Sequence, residues 1–300
     1  MSRVLVVGSI ALDTIETPMG RRENILGGSA THFSLSARHF APVRLVGVVG
    51  EDFPAEFSVK FGEAGVDMEG LEVEVGQTFR WSGKYVGTMD SAQTLDVKLN
   101  VFGHFRPTIP PRFRDSEYAL LGTAAPQTQR SVLEQLTKPA FVMLDTIDFW
   151  IGRERQTLLD LLPDVHALCI NHDEALLLAQ QDNLPRAVRF LLSHGLRSLI
   201  VKRANHGASL FTRDVLFSIP AYPTEEVVDP TGAGDAFAGG VLGSLAKHGA
   251  HRDGDLKRAL VYGSVMGSFA VEGFGTEGLE KATPEMIEQR AQSLLRMIRI

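Results

Sequence analysis

The stretch Val228-Asp229-Pro230-Thr231-Gly232-Ala233-Gly234-Asp235-Ala236-Phe237 places a carboxylate just inside the glycine-spaced entry of an apolar helix. The spacing of Ala236, Phe237, Val241, Leu242, Leu245 and Ala246, with a basic last turn and stop at Lys247-His248-Gly249, predicts that helix from about Gly234 to about His248. The first-turn N–H groups of a helix lack carbonyl partners, and its aligned peptide dipoles favour negative charge there. Gly232 and Gly234 allow unusual backbone angles and let a ligand approach the main chain closely. Asp235, in the same turn, is favoured in its ionised form and so suits a proton acceptor near neutral pH. A base beside an anion-binding terminus is equipment for handling a hydroxyl and a phosphate together. A lone Asp at a helix start is more often a simple cap, but the two glycines and the preceding Asp-Pro-Thr turn weigh against that reading here.

The elements that must hold this turn alternate along the chain. Strand-like runs at 4–8, 45–49, 118–122, 141–145, 167–171 and 199–202 are interleaved with helical stretches at 29–39 and near 54–64, 127–137, 151–162, 173–180 and 184–194. That rhythm predicts a doubly wound α/β architecture, a mainly parallel sheet with helices on both faces. One region departs from it. Phe79, Trp81, Gly83 and Tyr85 alternate with Arg80, Ser82 and Lys84, and Leu95, Val97, Leu99 and Val101 alternate with Asp96, Lys98 and Asn100. Period-two patterning without an intervening helix predicts antiparallel strands. With the extended piece at 13–17, they are read as a small β lid formed by about 11–18 and 77–104 on a single domain of residues 1–300. An apolar outer face on such a lid would need covering, which a homodimer through the lid would provide.

Three hundred residues with 44% hydrophobic content suffice for a full core. A net charge of −6 gives no electrostatic footprint for nucleic acid. There is no apolar run of the roughly 18 residues that a membrane span needs, nor a signal-peptide pattern. The single cysteine, Cys169, lies in a strand-like run and excludes an internal disulfide framework. A cytoplasmic protein is expected. The chain has no Gly-x-x-x-x-Gly-Lys-Ser/Thr loop, and the Gly-x-Gly at 232–234 lacks the third glycine of a dinucleotide fingerprint.

The 229–237 segment, with Gly27-Gly28-Ser29-Ala30 ahead of a helix, resembles the two signatures of the PfkB sugar and nucleoside kinases of the ribokinase-like superfamily. The order of Gly8-Ser9-Ile10-Ala11-Leu12-Asp13, lid strands, Asn171-His172-Asp173-Glu174 and phosphate turn fits the same family from about residue 3 to about residue 275. The resemblance implies a ribokinase-like fold and an enzyme that moves the γ-phosphoryl group of ATP to a primary alcohol of a sugar or ribonucleoside. Asp235 would take the hydroxyl proton, and the backbone from Gly232 through Ala233 and Gly234 would hold the phosphoryl charge. Asn171 and Glu174 match the family pair that holds Mg²⁺ through water; in isolation they read as a helix cap. Asp173 ranks behind Glu174 as a carboxylate for the metal. Lys202, Ala204 and Gly207 fall on the nucleotide turn, where Lys202 meets phosphate as a point charge and Ala204 stands where relatives carry glycine.

On the acceptor side the resemblance assigns sugar hydroxyls to Asp13, backbone approach to Gly27 and Gly28, and the place of a common asparagine to His32. Asp229 and Thr231 match a monovalent-cation position for K⁺, with carbonyls near Gly273 to Gly275; the same residues also read as a rigid turn. Phe33, Phe79, Trp81, Tyr85 and Phe102 are candidates for a wall against a nucleobase, or are core. Arg80, Lys84 and Lys98 would suit a phosphosugar, or form a solvated face. A nucleotide- or sugar-binding sensor without turnover is the reading that Ala204 and His32 favour.

Overall fold

The computed structural model describes residues 2–250 and 252–298, except the side chain of Asp253. Short strands whose apolar residues are all buried become the centre of one sheet. They are β1 (Val4–Val7), β8 (Tyr118–Leu121), β9 (Phe141–Leu144), β10 (Ala167–Asn171) and β11 (Ser198–Lys202), joined by the longer β4 (Val43–Gly50) and β5 (Asp67–Glu74). Two further strands, β12 (Ala208–Phe211) and β13 (Leu216–Ile219), pair antiparallel at one edge. The nine strands run in the order β13-β12-β11-β10-β9-β8-β1-β4-β5, and every pair from β11 to β5 is parallel.

Alternate residues of β1 feed opposite layers, as the pleat requires. Val4 and Val6 pack with α1 (Ser29–Ala37), α7 (Ala233–His248), α8 (Asp253–Ala270) and α10 (Pro284–Met297). Leu5 and Val7 pack with α3 (Pro126–Gln135), α4 (Asp148–Leu161), α5 (His172–Ala179) and α6 (Leu184–Ser193). The short α2 (Ala55–Glu63) and α9 (Glu277–Lys281) complete the first layer through Phe57, Phe61 and Leu279. Ligands of open α/β sheets bind outside the carboxyl ends of the strands. Here β10 and β11 end side by side on Asn171 and Lys202, and Asp145 follows the last residue of the neighbouring β9.

A separate four-stranded sheet has the order β3-β2-β6-β7, from β2 (Ala11–Thr17), β3 (Gly20–Gly27), β6 (Phe79–Lys84) and β7 (Gln93–Lys98). Strand β3 lies outside the expected 11–18 segment, because the polar run Arg21, Arg22, Glu23, Asn24 is an exposed edge with no apolar alternation. Strand β7 stops at Lys98, and Asn100–His104 turns as a 3₁₀ segment instead of continuing the strand. The register sets which side chains share a face of this sheet. Asp13 pairs with Trp81, and Trp81 with Val97, so the apolar side chains share the face of Asp13. The opposite face carries Leu12, Thr14, Arg80, Ser82, Asp96 and Lys98, while Leu95 and Val97 of β7 stay exposed at the edge of the sheet. Among the described residues, no helix is long and apolar enough to cross a membrane.

Candidate active site

Helix α7 is held from both sides: glycines at 239 and 240 bring it against the Phe33 carbonyl of α1 and the Tyr262 carbonyl of α8. Its N-cap, Gly232, is left-handed at φ 74°, and a Cβ there would run into the His32 ring, so only glycine fits. No side chain caps this terminus. The Ala233 N–H donates to the Pro230 carbonyl at 3.1 Å and the Ala236 N–H to the Gly232 carbonyl at 2.8 Å. The N–H groups of Gly234 and Asp235 between them remain open, as first-turn donors do. Burial pushes the Asp235 carboxyl up to about 6; Asp145 adds to the rise, and Lys202 and His32 oppose it. A carboxylate in that range holds a proton and gives it up close to neutral pH.

Lys202 reaches this turn from the end of β11. Its Nζ donates to Asp145 Oδ2 at 3.2 Å, with the side chains only 17% and 5% exposed. A Cβ on Gly234 would lie 3.2 Å from the same Nζ, so the ammonium sits directly across the open turn. Burial alone would lower the Lys202 pKa, but Asp145, Cys169, Glu174 and Asp235 outweigh it and hold the group charged. One strand over, Asn171 and Glu174 form a reciprocal capping box on α5. The Glu174 N–H donates to Asn171 Oδ1 at 2.8 Å, and the Asn171 N–H to Glu174 Oε2 at 2.7 Å. Burial raises the Glu174 carboxyl to about 7, with Lys202 pulling it down and Asp145 pushing it up. Asp173 points to solvent.

The acceptor candidates gather around Asp13. Its side chain is buried, and Oδ1 has no hydrogen-bond partner in the protein. A Cβ at Gly27 would overlap Asp13 Oδ2, so that glycine is set by the carboxylate itself. Gly28 stands at φ 93°, where a Cβ would lie 2.5 Å from the Ser9 carbonyl oxygen. Burial lifts the Asp13 carboxyl to about 8; the charge on Asp229 adds to this and the Gly28 N–H opposes it. His32 bridges the two glycine turns: its Nδ1 lies 3.0 Å from the Gly28 carbonyl oxygen, its ring lies under Gly232, and Nε2 is buried without a partner.

The aromatic candidates separate. Phe33, Phe79 and Phe102 pack in the main core. Trp81, its ring lying over Gly83, and Tyr85 cluster with Ile15 and Phe274 against Val228, on the face that carries Asp13. The Thr231 hydroxyl donates to the Tyr85 hydroxyl at 3.2 Å, and burial raises the Tyr85 pKa to about 12. The basic candidates are all paired: Arg80 with Asp52 at 2.7 Å, Lys84 with Glu16 at 2.7 Å and Lys98 with Asp96 at 3.4 Å.

Asp229 is fully buried, with Oδ1 accepting from the Thr231 N–H and Oδ2 from the Gly275 N–H, each at 2.9 Å. Those bonds make it a brace between the turn that enters α7 and the 273–275 loop. Ala204 adopts φ 47°, the left-handed conformation that glycine takes without strain, and Gly207 closes the turn with φ 84°. Sequence reasoning missed Asp145 as a site residue, since a strand-terminal Asp carries no local signal. A lone buried carboxylate at the carboxyl end of a central strand was the clue available.

A model of the pfkB family of carbohydrate kinases matches residues 113–282, more than half of the chain. The chain is 29% identical over 259 residues to a cytidine kinase of Thermococcus kodakarensis, covering 82% of this chain and 90% of that one. Its fold matches the nucleoside kinase of Methanocaldococcus jannaschii, an archaeal member of the ribokinase family, with a TM-score of 0.81 at 20% identity over 98% and 99% of the two chains. It also matches aminoimidazole riboside kinase from Salmonella enterica, solved with aminoimidazole riboside and an ATP analog, with a TM-score of 0.77 at 22% identity over 96% and 99%. The chain therefore belongs to the pfkB family and is a carbohydrate or nucleoside kinase with the ribokinase fold.

Proposed function

We propose that this kinase transfers the γ-phosphoryl group of ATP to the primary hydroxyl of a ribonucleoside. The observation that carries the reading is the uncapped α7 terminus, with Asp235 in its first turn and Lys202 across it. Asp235 takes the proton as the acceptor oxygen bonds to the γ-phosphorus. The bond to the β,γ-bridging oxygen breaks, and ADP leaves with that electron pair. The open N–H groups of Gly234 and Asp235 and the Lys202 ammonium stabilise the charge on the moving phosphoryl group, where positioning and electrostatics supply most of the catalysis.

The acceptor reading rests on the Asp13 face. The carboxyl group, with one oxygen unpartnered, suits a pair of ribose hydroxyls, while Trp81 and Tyr85 provide a wall for a base. The paired state of Arg80, Lys84 and Lys98 weighs against a phosphosugar. The cytidine and nucleoside kinases among the similar proteins support the same choice.

Among the described residues, no cluster of three metal-ligating side chains occurs. Mg²⁺ fits this site as the ion of an incoming nucleotide, which needs few protein carboxylates and keeps several waters. Asn171 and Glu174 would hold it, Glu174 through the oxygen that the Asn171 N–H leaves free, and the bound ion would neutralise phosphate charge. A site for K⁺ fits less well, because both Asp229 oxygens already accept N–H bonds and the Thr231 hydroxyl donates to Tyr85.

An ATP-consumption screen over ribonucleosides, free sugars and phosphosugars, with and without K⁺, tests the proposal. Nucleosides should turn over fastest, and kcat/KM should fall below a pH of about 6 as Asp235 protonates. Asp235→Asn should lose on the order of 10² to 10⁴ in rate. Preference for a free sugar would overturn the acceptor assignment; ATP binding without turnover of any acceptor would leave a sensor.

A further inference from the structure

Asp145 is a buried carboxylate that phosphoryl transfer by Asp235 leaves without a task. It is 3% exposed and rigidly mounted at the end of β9. Its N–H donates to the Leu121 carbonyl at 2.9 Å, and its Oδ1 accepts from the Thr146 N–H at 2.8 Å. Gln129, itself buried, ties the same point to β8: Nε2 donates to the carbonyls of Asp145 and Gly122, each at 2.8 Å. The remaining oxygen, Oδ2, faces Lys202 Nζ, and that ammonium crosses the open first turn of α7 beside Gly234. A lysine side chain is long and rotatable, so its aim across the turn needs a fixed partner.

We propose that Asp145 is a positioning residue that aims Lys202 across the phosphate-binding turn, and that the two charges together set the basicity of Asp235. The inference rests on Asp235 being the base. The titratable and charged groups whose charges act on or feel that of Asp235 are Asp145 just after β9, Lys202 from β11, His32 from α1, Asp13 from β2, Tyr85 from just after β6 and Cys169 from β10. The two members of the pair act on it in opposite senses: the Asp145 charge makes the carboxylate harder to form, and the Lys202 charge makes it easier.

Opposite signs make the test specific. Asp145→Asn should lower kcat at least tenfold and move the acid limb of kcat/KM to lower pH, by roughly half a unit or more. Lys202→Met should also lower kcat but move that limb to higher pH. The double variant should be no worse than the poorer single one, since the pair acts as a unit. Loss of stability alone moves neither limb in this paired manner, and Lys202→Met carries the pH test should Asp145→Asn fail to fold. Unmoved limbs, multiplicative losses in the double variant, or an Asp145→Asn defect repaired by raising Mg²⁺ would each overturn the assignment. A wild-type profile with no acid limb near 6 would instead remove Asp235 as the base.

Discussion

Helices α5 and α7 start within one site, yet their first turns are finished in opposite ways. On α5, Asn171 and Glu174 satisfy each other's backbone donors, so two of that terminus's N–H groups are already taken by side chains. On α7, a left-handed glycine stands at the cap position, and the nearest hydroxyl, that of Thr231, is turned away to Tyr85. The third helix entering the region, α1, resembles α5 in outcome: the Ser29 N–H donates to Ser9 Oγ at 3.0 Å and the Ala30 N–H to the Ser9 carbonyl at 3.0 Å. A missing cap typically costs about 1 kcal/mol. Here it is offset by an unbroken buried run from Ala236 to Ala246. Of the three termini, that of α7 is the one with neither a side-chain cap nor a serine partner for its first-turn donors.

The strongest way to break this contrast is at Gly232. Gly232→Ala forces a Cβ onto the His32 ring and a side chain into φ 74°, so the turn must shift and carry the Gly234 and Asp235 donors with it. Removing well-aimed transition-state donors typically costs about 10² to 10³ in kcat. A loss of that size is expected, and activity within threefold of wild type would show that the turn does not bind the transferred group. Asn171→Ala probes the capped helix and should do less. Losing the box should cost about 1 kcal/mol of stability, read as a small fall in melting temperature. Turnover at saturating Mg²⁺ should stay within about tenfold, because no phosphate donor is disturbed. A loss as deep as that of Gly232→Ala would erase the distinction between the two termini.

How much of this was legible depends on whether a residue's role is local. The α7 turn, the Gly27-Gly28 entry to α1 and the buried strands follow from spacing, because glycine needs and helical periodicity are written in neighbouring residues. The pairing of Asp145 with Lys202 joins residues 57 apart, and that of Tyr85 with Thr231 joins residues 146 apart. No local pattern announces either. His32 illustrates the boundary: its departure from the family asparagine is visible in sequence, but its place beneath Gly232 appears only when both turns are folded together. The aromatic set shows the same limit. Five aromatic residues were candidates in the sequence, and only folding divided Trp81 and Tyr85 from the three that fill the core.

Ala204 gives the mildest test, because it concerns a strand end that is turned by backbone strain instead of by a cap or an open glycine. A non-glycine residue in the left-handed region costs roughly 1–2 kcal/mol. Ala204 accepts that cost at φ 47° so that its carbonyl can receive the Gly207 N–H at 3.1 Å. Glycine would relieve the strain but would also free the unfolded chain, a penalty of about 0.4–1 kcal/mol. The two terms nearly cancel, with the strain the larger. Ala204→Gly should therefore raise stability by less than about 1 kcal/mol, measured by denaturant titration. The KM for ATP should stay within about twofold, since the fold of the turn is already the one glycine prefers. A clear loss of stability would show instead that the Ala204 methyl group packs against the turn, and that this strand end is held by contact and not by strain.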